Sequence, residues 1–229
     1  MKKIPLLVIF TLIGFSLFAQ TENKPAADPL PPDLLALQTA NSLARYGYSV
    51  RSASALIGAA EIYVSIRTQS LGVQAERAQQ SDSAAVDTPE FTPANLLAEG
   101  KKLAGKDKTL LAWAKEVEKS LKEVEKPLDE GTRGPAGGPK SATDIISGGG
   151  TDTYRINLYG GERTNIALFG NAASDLDLYV FDSYGNLIVC DEGYTDIARL
   201  WVLPRVTSAF TIEVRNRGNR ANRYELYIN

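Results

Sequence analysis

SDLDLYVFDSYGNLIVCDEG, residues 174–193, decides the fold class of this chain. Leu176, Leu178 and Val180 alternate with Asp175, Asp177 and Tyr179, the period of two that sends successive side chains to opposite faces of a strand. Tyr184-Gly185-Asn186 then supplies turn residues and Leu187 to Cys190 resumes an apolar run, so the stretch predicts two strands joined by a tight turn. Outward from it the same pattern recurs. Tyr154, Ile156 and Leu158 share a face, Gly160-Gly161 turns the chain, and Ile166 with Leu168 follows. Ile197 to Leu203, Phe210-Ile212-Val214 and Tyr224-Leu226-Ile228 complete the set, with Pro204 marking a strand end because it cannot donate to a ladder. About seven short strands at hairpin spacing predict an antiparallel β-sandwich over residues 147–229.

Four pieces in fixed order carry a resemblance. TYRINLYGGER comes first, then SDLDLYVFDSYGNLI, then AFTIEVRNRG, then NRYELYIN. Over about residues 144–229 this order resembles the bacterial pre-peptidase C-terminal domain. The resemblance implies a jelly-roll-like β-sandwich and an accessory, non-catalytic module of secreted proteins, associated with export, stability or binding. It does not imply that this chain cleaves anything.

The N-terminal half has the other periodicity. Leu34, Leu35, Leu37, Leu43 and Ala44 fall near a helical repeat that Asp33 is expected to cap and Gly47 to stop. A second helix is expected from Ser52 or Ser54 through Ile66, with Ala55, Gly58, Ala59 and Ala60 permitting a close partner helix. Residues 69–90 turn to Gln, Ser, Ala and Asp and are expected to form a solvated helix end followed by a loop. Thr92-Pro93 caps and begins a third helix, Gly105 ends it, and Asp107 caps a fourth whose stripe runs from Leu110 and Trp113 to Val124. The expectation is a small helical bundle of about four helices over 33–127. ANSLARYGYSVRSASALIGAAEIY weakly resembles a tetratricopeptide-type helix pair, but Leu103-Ala104 follows Leu43-Ala44 by 60 residues, where such repeats recur at about 34. Residues 128–146 are rich in Gly and Pro and are expected to be a flexible linker.

The first residues speak to compartment. Lys2 and Lys3, the apolar stretch from Ile4 to Phe18 and the small Ala19 have the order of a signal peptide over 1–19, and the apolar part falls short of the roughly 20 residues a spanning helix needs. Residues 20–32, with Pro25, Pro29, Pro31 and Pro32, form a disordered or extended lead. Export to the periplasm or the exterior, with no membrane span in the mature chain, is therefore expected. Cys190 is the single cysteine, so no internal disulfide can form.

Composition removes whole classes of function. With 25 basic against 27 acidic residues, nothing favours nucleic acid. With no His, nucleophile–imidazole pairs are excluded, and catalytic zinc sites nearly always use an imidazole. Carboxylate pairs, Asp175 with Asp177 or Asp191 with Glu192, survive as a formal glycosidase option, but neighbours on one strand face point the same way instead of facing each other across a substrate. A non-enzyme is expected.

One constellation points to an ion. Between Thr164 and Ala198 there is no Lys or Arg, while Asp175, Asp177, Asp182, Asp191, Glu192 and Asp196 fall in that window. Asp175, Asp177 and Asp182 are the candidate ligands for calcium, which prefers carboxylate and carbonyl oxygens; no other cofactor is required. The competing expectation is that Asp177 bonds loop backbone and the other acids are solvated. Arg215, Arg217, Arg220 and Arg223 cluster near the last turn, either to meet acidic polymers or to keep a turn soluble. Tyr159, Tyr179 and Phe181 are expected to stack on sugars, to cover a second face or to meet the helices, and Trp113 and Trp201 to pack in the core or between the two parts. The sequence thus predicts an exported accessory or binding protein of the cell envelope with a protein or polysaccharide partner.

Overall fold

The computed structural model describes residues 29–77, 89–124 and 138–229. The signal peptide, most of the proline lead and the first part of the expected linker lie outside these residues. Four helices, α1 (Pro32–Val50), α2 (Ala53–Ser65), α3 (Pro93–Ala104) and α4 (Lys108–Val124), form one layer. Two very short strands, β1 (Gln69–Ser70) and β2 (Glu76–Arg77), lie between α2 and α3. After α4 come β3 (Lys140–Ile146), β4 (Thr151–Leu158), β5 (Thr164–Gly170), β6 (Leu176–Phe181), β7 (Leu187–Asp191), β8 (Ile197–Val202), β9 (Ser208–Asn216) and β10 (Asn222–Ile228).

Capping follows the sequence in three helices and departs from it in the first. Ser52 accepts from the Ala55 amide, Thr92 from the Asn95 amide, and Asp107 from the Thr109 and Leu110 amides. The α1 helix instead starts at Pro32, so Asp33 sits in the first turn, where its charge favours the helix N-terminus without making a cap bond. Nor does Gly47 stop this helix, which runs on to Val50 and closes on Arg51 at φ 56°. Gly47 is a packing residue: a Cβ there would meet Leu56 Cδ2 at 2.6 Å, so its absence lets α2 cross closely. The same holds where a Cβ on Gly100 would meet Ile57 Cγ1 at 2.9 Å. The α2 helix, buried along most of its length, is thereby held in the centre of the layer.

The strands form two five-stranded sheets, β1-β3-β10-β5-β8 and β2-β4-β9-β6-β7, antiparallel throughout apart from the β1–β3 pair. From β3 to β10 the chain alternates between sheets at every step except the β6–β7 hairpin, which is jelly-roll winding. Ile146, Tyr154, Ile166, Leu168, Leu178, Val180, Ile212, Val214, Tyr224 and Leu226 fill the space between the sheets. The seven expected strands are β4 to β10.

Two sequence expectations are corrected. The last seven residues of the expected linker are β3, paired with β10 from Lys140↔Ile228 to Ile146↔Asn222. The strand is hard to see because the inward positions Ala142 and Asp144 are small or charged, leaving Ile146 as its one buried apolar anchor. Likewise, the first part of the segment expected as a helix end and loop, residues 69–77, is a strap; residues 78–88 of that segment lie outside the described residues. Residues 69–70 add to β3 in one sheet and residues 76–77 to β4 in the other, while Leu71, Val73 and Ala75 pack against the sandwich core between them.

The helices do not stand apart from the strands. Ala167, Phe169 and Tyr227, on the outer face of the β10–β5–β8 sheet, belong to the same buried cluster as Leu34, Leu56, Tyr63 and Leu97. Polar contacts fix the seam: the Asn41 amide donates to the Gly170 carbonyl, Arg45 pairs with Asp196 at 3.0 Å, and the Tyr63 hydroxyl donates to Glu225 at 2.9 Å. The result is three layers, helix on sheet on sheet. Among the described residues no helix is long and apolar enough to cross a membrane.

Candidate binding face of the sandwich

Of the two outer sheet faces, the helices cover one. The other, on β4, β9, β6 and β7, is built by the alternation noted at the outset. With Leu176, Leu178 and Val180 turned inward, Asp177, Tyr179 and Phe181 must point outward. Register then sets their neighbours on β9: Asp177 lies opposite Arg215, Tyr179 opposite Glu213, and Phe181 opposite Thr211.

These side chains form a closed set. Arg217 pairs with Asp177 at 3.2 Å, and the Asp177 carboxylate, only 4% exposed, also accepts from the Tyr179 hydroxyl. Burial raises the Asp177 pKa above the ordinary aspartate value, and the Tyr179 bond and Arg217 work against that rise. The Tyr179 hydroxyl lies 2.5 Å from Glu192, and its ring is covered by the Arg215 guanidinium at 4.0 Å, itself held by Glu213 at 2.6 Å. Burial and both carboxylates raise the Tyr179 pKa. Phe181 stacks on Tyr179 with ring centroids 6.3 Å apart and keeps an accessible face.

The three carboxylates expected to share an ion are not brought together. Asp175 and Asp177 lie two residues apart, Arg217 pairs with Asp177 and acts electrostatically on both, and burial raises the Asp175 pKa. Asp182 lies beyond the other end of β6, roughly 20 Å away at the rise of an extended strand. There its carboxylate accepts from the Tyr184 and Asn186 amides and the Asn186 side chain, bonds that lower its pKa. Calcium takes six to eight oxygens, and no group of three or more metal-ligating side chains occurs among the described residues. Asp191 accepts from the Gly193 and Arg199 amides, and Asp196 from the Ala172 amide while pairing with Arg45.

The stretch without cations is thus neutralised from elsewhere in the chain, by Arg45 on α1 and by Arg215 and Arg217 on and just after β9. Of the four clustered arginines only Arg217 and Arg220 are exposed; Arg223 reaches toward Glu90 at 3.8 Å. Trp113 packs over Gly58 and donates to Glu61, and Trp201 stacks under Arg163 at 4.5 Å. Tyr159 is exposed on the β4–β5 turn.

A second polar cluster has no local sequence signal. Between the sheets, the Tyr154 and Tyr224 hydroxyls share a hydrogen bond of 2.7 Å, and Tyr224 donates to Asp152, itself 2% exposed. Arg77, from the strap, reaches across the sandwich mouth to pair with Asp144 on β3 and with Asp152 on β4 at 3.3 Å. Burial raises Asp152 above the ordinary aspartate value, opposed by Tyr224 and Arg77, and raises Tyr154 to about 12.

No family model matches the sequence, and no curated protein matches it. Solved structures do. The chain is similar to the pre-peptidase C-terminal domain of a Bacillus anthracis collagenase, at 17% identity over 40% of this chain and 89% of that one, with a TM-score of 0.34. It is similar to Aeromonas hydrophila PliG, a periplasmic inhibitor of g-type lysozyme, at 14% identity over 45% and 90%, TM-score 0.31. A carbohydrate-binding module of Cellvibrio mixtus lichenase 5A, solved with cellotriose, matches at 11% identity over 40% and 86%, TM-score 0.27. These are partial likenesses, and they carry no conclusion about ligand or activity.

Proposed function

We propose that the protein is an exported, non-catalytic accessory protein of the cell envelope that binds a protein or polysaccharide partner through the outer face of the β4–β9–β6–β7 sheet. The asymmetry between the two sheet faces carries this reading: one packs against the helices, and the other presents half-buried Phe181, stacked on the buried Tyr179, beside Arg215 and the exposed Arg217. A partly accessible aromatic ring beside guanidinium donors is chemistry that suits a sugar ring or a polar protein patch. Export rests on the signal-peptide pattern of residues 1–19. The absence of catalysis rests on the missing imidazole and on the commitment of Asp177 to Arg217, Glu192 to Tyr179 and Asp191 to backbone amides.

The test uses the full chain, immobilised and challenged with envelope polysaccharides, a glycan array and envelope proteins. Phe181→Ala and Arg217→Ala are each expected to weaken retention of the partner by roughly tenfold, about 1.4 kcal/mol, and Tyr46→Ala on the helical layer to leave it unchanged. Equal retention by all three variants would overturn the assignment. The sealed face favours a second reading, in which the sandwich is the support and the helices hold the partner. Loss with Tyr46→Ala and retention with Phe181→Ala would select it.

A further inference from the structure

The strap of residues 69–77 leaves part of a sheet edge uncovered. It pairs with β3 only at Lys140 and Ser141, then bows away to reach β4, where it pairs at Asp152 and Thr153. The Gln69 amide donates to the Pro139 carbonyl and the Leu71 amide to that of Ser141, so the odd-numbered residues of β3 direct their backbone groups to this edge. By the same alternation Thr143 and Ile145 face it as well. Among the described residues no strand pairs with them on that side; the Ile145 amide turns back to Asp144 at 3.3 Å. Between the bowed strap and residues 141–144 lies a cavity of about 920 Å³. Ser70, Gln74, Ser141 and Thr143 line it with hydroxyls and an amide, and the Arg77–Asp144 pair closes one end.

We infer that this slot is a strand-addition site, in which an extended peptide segment of a partner protein pairs with β3 along Thr143 and Ile145 and continues the lane that β1 begins. An unpaired strand edge presents donors and acceptors at the repeat of a peptide main chain, and strand addition draws its affinity from those bonds. Hydroxyl and amide walls suit a main chain better than an apolar side chain. Four extended residues, ~13 Å, cover the edge from Ala142 to Ile145. Side chains opposite Ala142 and Asp144 enter the slot, where Val73 and Ala75 leave room for small or hydroxyl-bearing ones. This site is separate from the exposed sheet face, and the two stand or fall independently.

The experiment pans a phage-displayed random heptapeptide library on the full-length protein and measures the recovered peptides by fluorescence anisotropy. Binding is expected to fall at least tenfold in Thr143→Pro, which removes an amide on the open edge and leaves the bonds to β10, and in Ser70→Trp, which fills the slot from an exposed position. N-methylation of alternate peptide amides, which leaves the protein untouched, is expected to do the same. Peptide is also expected to slow hydrogen exchange at Thr143. Failure to recover a peptide, undiminished binding to Ser70→Trp, or indifference to N-methylation would overturn the proposal.

Discussion

The two outer faces of the sandwich are made by the same strand alternation and end in opposite states. On the β10–β5–β8 sheet the outward residues include Ala167, Phe169 and Tyr227, and the cheapest way to remove them from water is a layer of helices. On the β4–β9–β6–β7 sheet the outward residues include Asp177, Tyr179, Glu213 and Arg215, which satisfy one another along and across β6 and β9 and need no cover. The difference lies in a handful of outward side chains, and it determines which face a neighbour meets.

The contrast breaks most severely at the covered face. Phe169→Ala removes a fully buried ring from the helix–sheet seam and is expected to cost about 3–5 kcal/mol. The urea midpoint should fall, with helical circular dichroism lost no later than strand signal; an unmoved midpoint would mean the helices hold without the sheet.

A smaller effect tests the same seam through pH. Burial pushes the Glu225 carboxyl up from 4.5 to about 7, with Tyr63 and Tyr227 hydroxyls pulling the other way. Folding therefore favours the protonated form. Its contribution is complete below pH 4.5 and is lost as pH rises through about 7, a difference on the order of 3 kcal/mol. Glu225→Gln is expected to flatten the fall in melting temperature between pH 5 and pH 8, and an unchanged slope would remove Glu225 from the seam's energetics.

The exposed face should respond least. Arg217→Ala leaves Asp177 without its cation and is expected to cost about 1 kcal/mol, because Arg217 is itself 58% exposed. Millimolar calcium is expected to leave the wild-type melting temperature unmoved; a rise of several degrees would show an ion taking the place of Arg217.

How much of this was legible in the sequence follows from how local each signal is. Strand alternation and the caps at Ser52, Thr92 and Asp107 act over two to four residues, and they appear where expected. The pairing of Asp175 and Asp177 is visible in the sequence, but the absence of basic residues around them misleads, because Arg217 arrives from the end of a strand forty residues on. Arg77 gave no signal at all: its partners, Asp144 and Asp152, lie on strands that are not its sequence neighbours. The seam was hidden for a similar reason, since Phe169 and Tyr227 read as ordinary strand residues until a second layer is known to lie against them.

The strap has a consequence for how such a protein can be built and rebuilt. A fragment beginning at Gly138 carries all eight long strands yet lacks β1, β2, three residues that plug the core and the guanidinium that neutralises Asp152. The Gly- and Pro-rich stretch is therefore a poor place to divide the chain. A fragment cut there is expected to melt below the full chain, because its sandwich has lost the strap.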